Sequence, residues 1–122
     1  MAVGVDIEDI SRFENKDQKF LDRIYTKSEQ QYCLQKSLPA KHLAVRYCAK
    51  EAVIKALNGL DFEHPKLSEI EIFHSENGCP QVRFLNKNIP DLKIEISLSH
   101  DRTKAIAVVF IEAKTRSRRI DV

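Results

Sequence analysis

The chain has 122 residues, 43% of them hydrophobic and 31% charged, the make-up of a single soluble globular domain spanning 1–122 and not of a disordered segment. Twenty Lys+Arg against eighteen Asp+Glu leave a formal charge of +2, too little to argue by itself for a nucleic-acid or anionic-membrane partner. The longest apolar run, Ala105 to Ile111, falls far short of the about 20 residues of a bilayer-spanning helix, and Cys33, Cys48 and Cys79 have no C-x-x-C spacing, so reduced thiols in the cytoplasm are expected, without a secretory signal, disulfide frame or zinc knuckle.

Val3, Val5 and Ile7 alternate with Gly4, Asp6 and Glu8, which predicts a strand. Ile10 and Phe13 change the period, so a short helix is expected near Asp9 or Ser11. Phe20, Leu21 and Ile24 share an apolar helical patch. Thr26-Lys27-Ser28-Glu29 fits a capping box and should open a helix that ends before Pro39. Lys41 to Asn58, rich in Ala, Leu, Lys and Glu and followed by Gly59, is the strongest helix. Apolar and small residues run nearly all round it, which predicts a central helix packed on more than one face. Two polar stripes interrupt it, Arg46 with Lys50 and Glu51 with Lys55.

Beyond this helix the pattern turns to strands. Ile70–Phe73 and Gln81–Leu85 should pair around a turn at Glu76-Asn77-Gly78. Ile94–Leu98 and Ala105–Glu112 should be strands joined tightly through Asp101–Lys104. The tail from Lys114, with Arg116, Arg118 and Arg119, is expected to fray. Helices gather in the first half and strands in the second, so the fold class is α+β, a small antiparallel or mixed sheet on a long central helix.

Three places carry candidate chemistry. Glu51 and Lys55 stand one turn apart. They read either as an intrahelical ion pair worth about 0.2–0.5 kcal/mol, or as a carboxylate for a divalent cation beside an ammonium for a phosphate. Asp6 lies near the end of the first strand, on the side opposite Val3, Val5 and Ile7. Strand ends that lead into helices are where open sheets place ligands, but a solvent-facing strand residue is the simpler reading. His100 ends the run Ser97-Leu98-Ser99-His100 and reads as a turn residue or as a phosphate ligand beside hydroxyls. His42, His64 and His74 have no metal-site spacing and are read as structural, and the cysteines as core residues. Three glycines in all leave no Gly-rich phosphate loop.

Taken in order, Gly4-Val5-Asp6-Ile7, Arg12-Phe13, Arg46-Tyr47-Cys48-Ala49-Lys50-Glu51-Ala52 with Lys55-Ala56-Leu57, Gly78-Cys79-Pro80 and Ser97-Leu98-Ser99-His100 resemble the small, single-lobe phosphopantetheinyl transferases over nearly the whole chain. The resemblance implies that family's fold and the Mg²⁺-dependent transfer of 4'-phosphopantetheine from coenzyme A to a serine of an apo acyl carrier protein, with adenosine 3',5'-bisphosphate as the other product. It implies a homotrimer with sites between subunits. Asp6 and Glu51 match the family's metal-binding and catalytic acids, and Lys55 adds positive charge at the diphosphate. Arg46, roughly 140° around the helix from Glu51 at about 100° per residue, would serve another part of the ligand, such as the 3'-phosphate. His100 and Ser99 match the nucleotide end, and Gly78 and Pro80 the adenine pocket. Arg12, Lys19 and Arg23 match basic positions that face an acidic carrier, with Phe13 as an apolar contact. The chain departs from the family at Cys79, where lysine is frequent, and at Asn58, where glycine is usual. Two rival readings are a metal-dependent phosphoesterase or nuclease using Asp6, Glu8 and Glu51, and a non-catalytic nucleic-acid-binding module using the basic tail.

Overall fold

The computed structural model describes residues 1–86 and 88–114. The expected fraying and the basic residues Arg116, Arg118 and Arg119 therefore lie outside the described residues. The chain opens with β1 (Ala2–Asp9), turns through a 3-10 helix at Ile10–Phe13, and forms α1 (Gln18–Ile24), α2 (Lys27–Leu34) and α3 (Pro39–Gly59). A 3-10 turn at Leu67–Glu69 leads to β2 (Ile70–His74), β3 (Pro80–Phe84), β4 (Leu92–His100) and β5 (Lys104–Ala113). The α+β class stands as expected.

Local chemistry explains the helix starts. Asp17 accepts from the backbone N–H of Phe20 ahead of α1. Thr26 and Glu29 form the expected capping box, each side chain accepting from the other's N–H. Pro39 sits in the first turn of α3. Its missing N–H would be unpaired there in any residue, so the helix begins two residues earlier than Lys41.

The strands form two sheets and not one. β1, β5 and β4 pair antiparallel in that order, and β2 with β3 forms a separate antiparallel hairpin. Gly78, at φ +85°, supplies the left-handed residue of its turn.

α3 packs across β1 and β5. Its face of Ala52, Val53 and Ala56 meets Ala105, Ala107 and Val109, all at most 1% exposed. The approach is closest at Gly4, where a Cβ would lie 1.9 Å from the Ala52 carbonyl oxygen. Only glycine fits, so position 4 must face the helix. The two-residue period of a strand then carries Asp6 and Glu8 to the helix side. This reverses the simpler reading of Asp6. It is Val3, Val5 and Ile7 that point outward, each more than half exposed, beside exposed Ile106 and Phe110 of β5.

The Arg46–Lys50 stripe is also turned inward. Lys50 is fully buried, and its Nζ donates to Glu29 Oε1 at 2.6 Å, to the Ile24 carbonyl at 2.6 Å and to the Leu67 carbonyl at 3.0 Å. The other Glu29 oxygen accepts from the Ile72 N–H at 2.8 Å. One buried ion pair thereby fixes α2, α3, β2 and the end of α1 to one another.

Candidate functional site

The inward turn of β1 delivers Asp6 to the flank of α3. Lys55 reaches across from the helix and donates to the Val5 carbonyl at 2.9 Å and to Asp6 Oδ1 at 3.2 Å. Lys55 thus pairs with the strand acid and forms no ion pair with Glu51. The intrahelical pair is not made because the strand carboxylate and carbonyl together offer the ammonium a better-placed set of acceptors. Asp6 Oδ2 is buried and has no hydrogen-bond partner.

Glu8 is the next residue on the same side of β1. Burial raises its carboxyl above the ordinary value, the neighbouring Asp6 carboxylate raises it further, and Arg12 opposes both. Arg12 pairs with Glu8 and lies over the Tyr47 ring, 5.0 Å from its centroid. Burial also raises the Tyr47 phenol, with Arg12 opposing and Glu51 adding to the rise. Tyr47 precedes Glu51 by one helical turn, and Lys55 follows it by one. Asp6, Glu8, Arg12, Tyr47, Glu51 and Lys55 therefore belong to one side-chain network. Behind it the Cys48 thiol is pushed up to about 12 by burial and then by Asp6 and Glu8, which makes it an inert core group.

A second cluster gathers round Arg46. The residue is 3% exposed, and its guanidinium lies 4.3 Å from the Tyr32 ring centroid. Nη2 stands 3.4 Å from His74 Nδ1, and Nε has no partner. His74 is paired with Pro80 across the hairpin whose turn holds Gly78. His100 ends β4 within electrostatic range of His42, one turn before Arg46. Arg46, His74 and Tyr32 therefore form one cluster, with Pro80 paired to His74 on the neighbouring strand and His100 acting on it only at a distance through His42. Ser99 is not brought there with His100, because neighbouring strand positions face opposite sides.

Two expectations are corrected. Phe13 is 1% exposed and packs on Phe20 and Tyr47, with centroids 6.2 and 5.2 Å away, so it is a core residue and no docking contact. Cys79 is exposed in the hairpin turn and is not a core residue, unlike Cys33 and Cys48. His74, read as structural, faces Arg46. Lys19 and Arg23 are exposed on α1, four residues apart.

The first network suits a hard divalent cation. Asp6 Oδ2 is a buried carboxylate oxygen without a geometric partner, and Glu51 of the helix that packs on β1 would be the second hard oxygen. Among the described residues no group of three or more His, Cys, Asp or Glu is placed to hold a metal. A cation here would take two carboxylates from the protein and its remaining ligands from substrate oxygens and water, the usual habit of Mg²⁺. Tyr47 and His42 were within reach of helical spacing, each one turn before a candidate residue, whereas Tyr32 and His74 are brought in only by packing.

Comparison with known proteins agrees over the length of the chain. The family profile described as 4'-phosphopantetheinyl transferase superfamily matches residues 2–110. The holo-[acyl-carrier-protein] synthase of Chlorobium phaeovibrioides is 38% identical over 124 residues, covering 97% of this chain and 99% of the relative. The crystal structure of a holo-(acyl-carrier-protein) synthase from Bacillus anthracis in complex with CoA (3',5'-ADP) superposes with a TM-score of 0.77 at 27% identity, over 93% of this chain and 96% of the other. The Helicobacter pylori holo-[acyl-carrier-protein] synthase in complex with coenzyme A gives a TM-score of 0.71 at 31% identity, over 90% and 99%.

Proposed function

The chain belongs to the 4'-phosphopantetheinyl transferase superfamily, and from that premise we infer that it moves the 4'-phosphopantetheine group of coenzyme A onto a serine hydroxyl of an apo acyl carrier protein. The serine oxygen forms a bond to the phosphorus that bears pantetheine. The bond from that phosphorus to the bridging diphosphate oxygen breaks, and adenosine 3',5'-bisphosphate leaves. The family match over residues 2–110 supports transfer over the phosphoesterase reading. The observation that carries the residue assignment is the buried, partnerless oxygen of Asp6 beside Lys55.

Transfer at phosphorus depends chiefly on positioning and on neutralising negative charge. Asp6 and Glu51 would hold Mg²⁺, which when bound neutralises charge on the diphosphate. Lys55, held against β1 by the Val5 carbonyl and Asp6, presents an ammonium to the same diphosphate. Arg12, drawn onto Glu8 and Tyr47, keeps the carboxylate side of the network ordered. Arg46 takes a phosphate at the nucleotide end, with His100, Gly78 and Pro80 assigned to the same end, while Ser99, on the opposite side of β4 from His100, takes no part there. Lys19 and Arg23, with Arg12, form the basic surface for the acidic carrier, where charge pairing mainly speeds encounter and weakens with salt.

The outward face of β1 and β5 supports a homotrimer. Val3, Val5, Ile7, Ile106 and Phe110 are 40–59% exposed on adjacent strands. A contiguous apolar patch of that kind marks an interaction surface, and a second and third copy of the chain would cover it and bring two subunits to each site. Free Cys33, Cys48 and Cys79 are consistent with a reducing cytoplasm. No helix among the described residues is long and apolar enough to cross a membrane.

Incubation of the full chain with coenzyme A, Mg²⁺ and an apo acyl carrier protein, followed by intact-mass measurement, tests the activity. The carrier is expected to gain the mass of one phosphopantetheine group. Unchanged carrier mass across several carriers, with coenzyme A intact, would contradict it.

A further inference from the structure

His42 and His74 have no role in the reaction described so far, yet both border the buried guanidinium of Arg46. Tyr32 of α2 stands between them. Its ring centroid is 5.9 Å from that of His42, edge to face, and 6.1 Å from that of His74, stacked. Arg46 and Lys36 lie over the same ring at 4.3 and 4.4 Å. Arg46 is only 3% exposed, and its Nε is unpartnered. Among the described residues no carboxylate forms an ion pair with it. A guanidinium, two imidazoles and an ammonium thus converge with no counter-ion, an arrangement that an anion would complete.

The protonation of the imidazoles follows from their surroundings. Burial lowers His42, and Lys41 and Arg46 on its own helix, Lys36 after α2 and His100 at the end of β4 lower it further. Burial lowers His74, and Arg46 and Lys36 add to it. The acids of α2 and β2 are engaged elsewhere, Glu29 with Lys50 and Glu71 with Arg83. A phosphate monoester, arriving with close to two negative charges, reverses the sign of the local field and favours the charged imidazole.

We propose that His42 and His74 bind a phosphate monoester of the nucleotide together with Arg46 and take up protons as it binds, so that nucleotide affinity falls as pH rises. This rests on the reading of the Arg46 end as the nucleotide side of the site. It deepens that reading by giving this chain two proton-linked ligands. The sign is fixed by linkage, since a group protonated in the complex and neutral in the free protein makes binding tightest on the acid side.

Isothermal titration calorimetry of adenosine 3',5'-bisphosphate with the full chain, in buffers of different ionisation heat, counts the protons. Net uptake is expected near neutral pH, and the dissociation constant should rise about tenfold or more between pH 6.5 and 8.5, one decade per unit of pKa change. His42→Gln and His74→Gln should each lower the proton count and flatten the profile, with the loss of affinity largest at pH 6.5. Circular dichroism confirms that each variant is folded. 3'-Dephospho-coenzyme A, which has no monoester, should show the shallow profile with every variant. An unchanged proton count in the double variant, or an equally steep profile for 3'-dephospho-coenzyme A, overturns the proposal. If the unmodified chain loads the carrier but binds nucleotide independently of pH, the proposal alone fails. If it neither binds coenzyme A nor loads the carrier, the functional reading fails with it.

Discussion

Asp6→Asn and Glu51→Gln are each expected to lower the rate of carrier loading by about 10²–10³-fold, the usual consequence of removing one preorganised group that stabilises developing charge. Both substitutions keep the shape of the side chain and remove its charge. Asp6 Oδ2 has no geometric hydrogen-bond partner, and an amide in its place removes the like charge that acts on Glu8. Lys55 retains the Val5 carbonyl and can still meet the amide oxygen. Melting temperatures should therefore stay near that of the unmodified chain while turnover collapses. The check is a paired measurement of thermal unfolding and intact-mass kinetics. Near-normal loading by either variant would remove that residue from the reaction.

The second large effect is on stability. Lys50→Met leaves Glu29 buried with its Ile72 N–H and Thr26 N–H partners but without a cation, and Glu29→Gln leaves Lys50 charged with two carbonyls and no carboxylate. Breaking a buried pair by removing one member costs about 3–5 kcal/mol. That is a large share of the about 5–15 kcal/mol that holds a domain of this size together. Desolvation already pulls the Lys50 ammonium below its ordinary value and Glu29 opposes the fall, so losing the carboxylate removes the main support of the buried charge. Urea denaturation of both variants should show the loss as a lower midpoint at similar slope. The double substitution Glu29→Leu with Lys50→Met should cost less than the sum of the single ones, though not nothing, because the Ile24 and Leu67 carbonyls then lose their donor. Additive losses would mean that the two groups do not act as a pair.

What the sequence makes legible follows the range over which each signal acts. Capping at Thr26 and Glu29, the long helix and the Gly78 turn are local, and each forms as expected. The face of β1 was not legible, because alternation identifies two faces without saying which meets the core. The decision lies in the contact between Gly4 and the Ala52 backbone, far apart in sequence. Phe13 and Lys50 illustrate the same limit. An aromatic beside an arginine reads as an exposed anchor, and a lysine on a polar stripe reads as solvated. Both are buried because helices from elsewhere in the chain close over them. Asp6, Glu51 and Lys55 were legible as a set only through the family resemblance, since spacing alone left Lys55 paired within its own helix.

The metal assignment has its most direct test in Mn²⁺ binding followed by electron paramagnetic resonance with coenzyme A present. The chain and coenzyme A together should bind Mn²⁺ more tightly than coenzyme A does alone, and Asp6→Asn and Glu51→Gln should each abolish that gain. If either variant holds the ion with coenzyme A as tightly as the unmodified chain does, the two carboxylates do not share a cation.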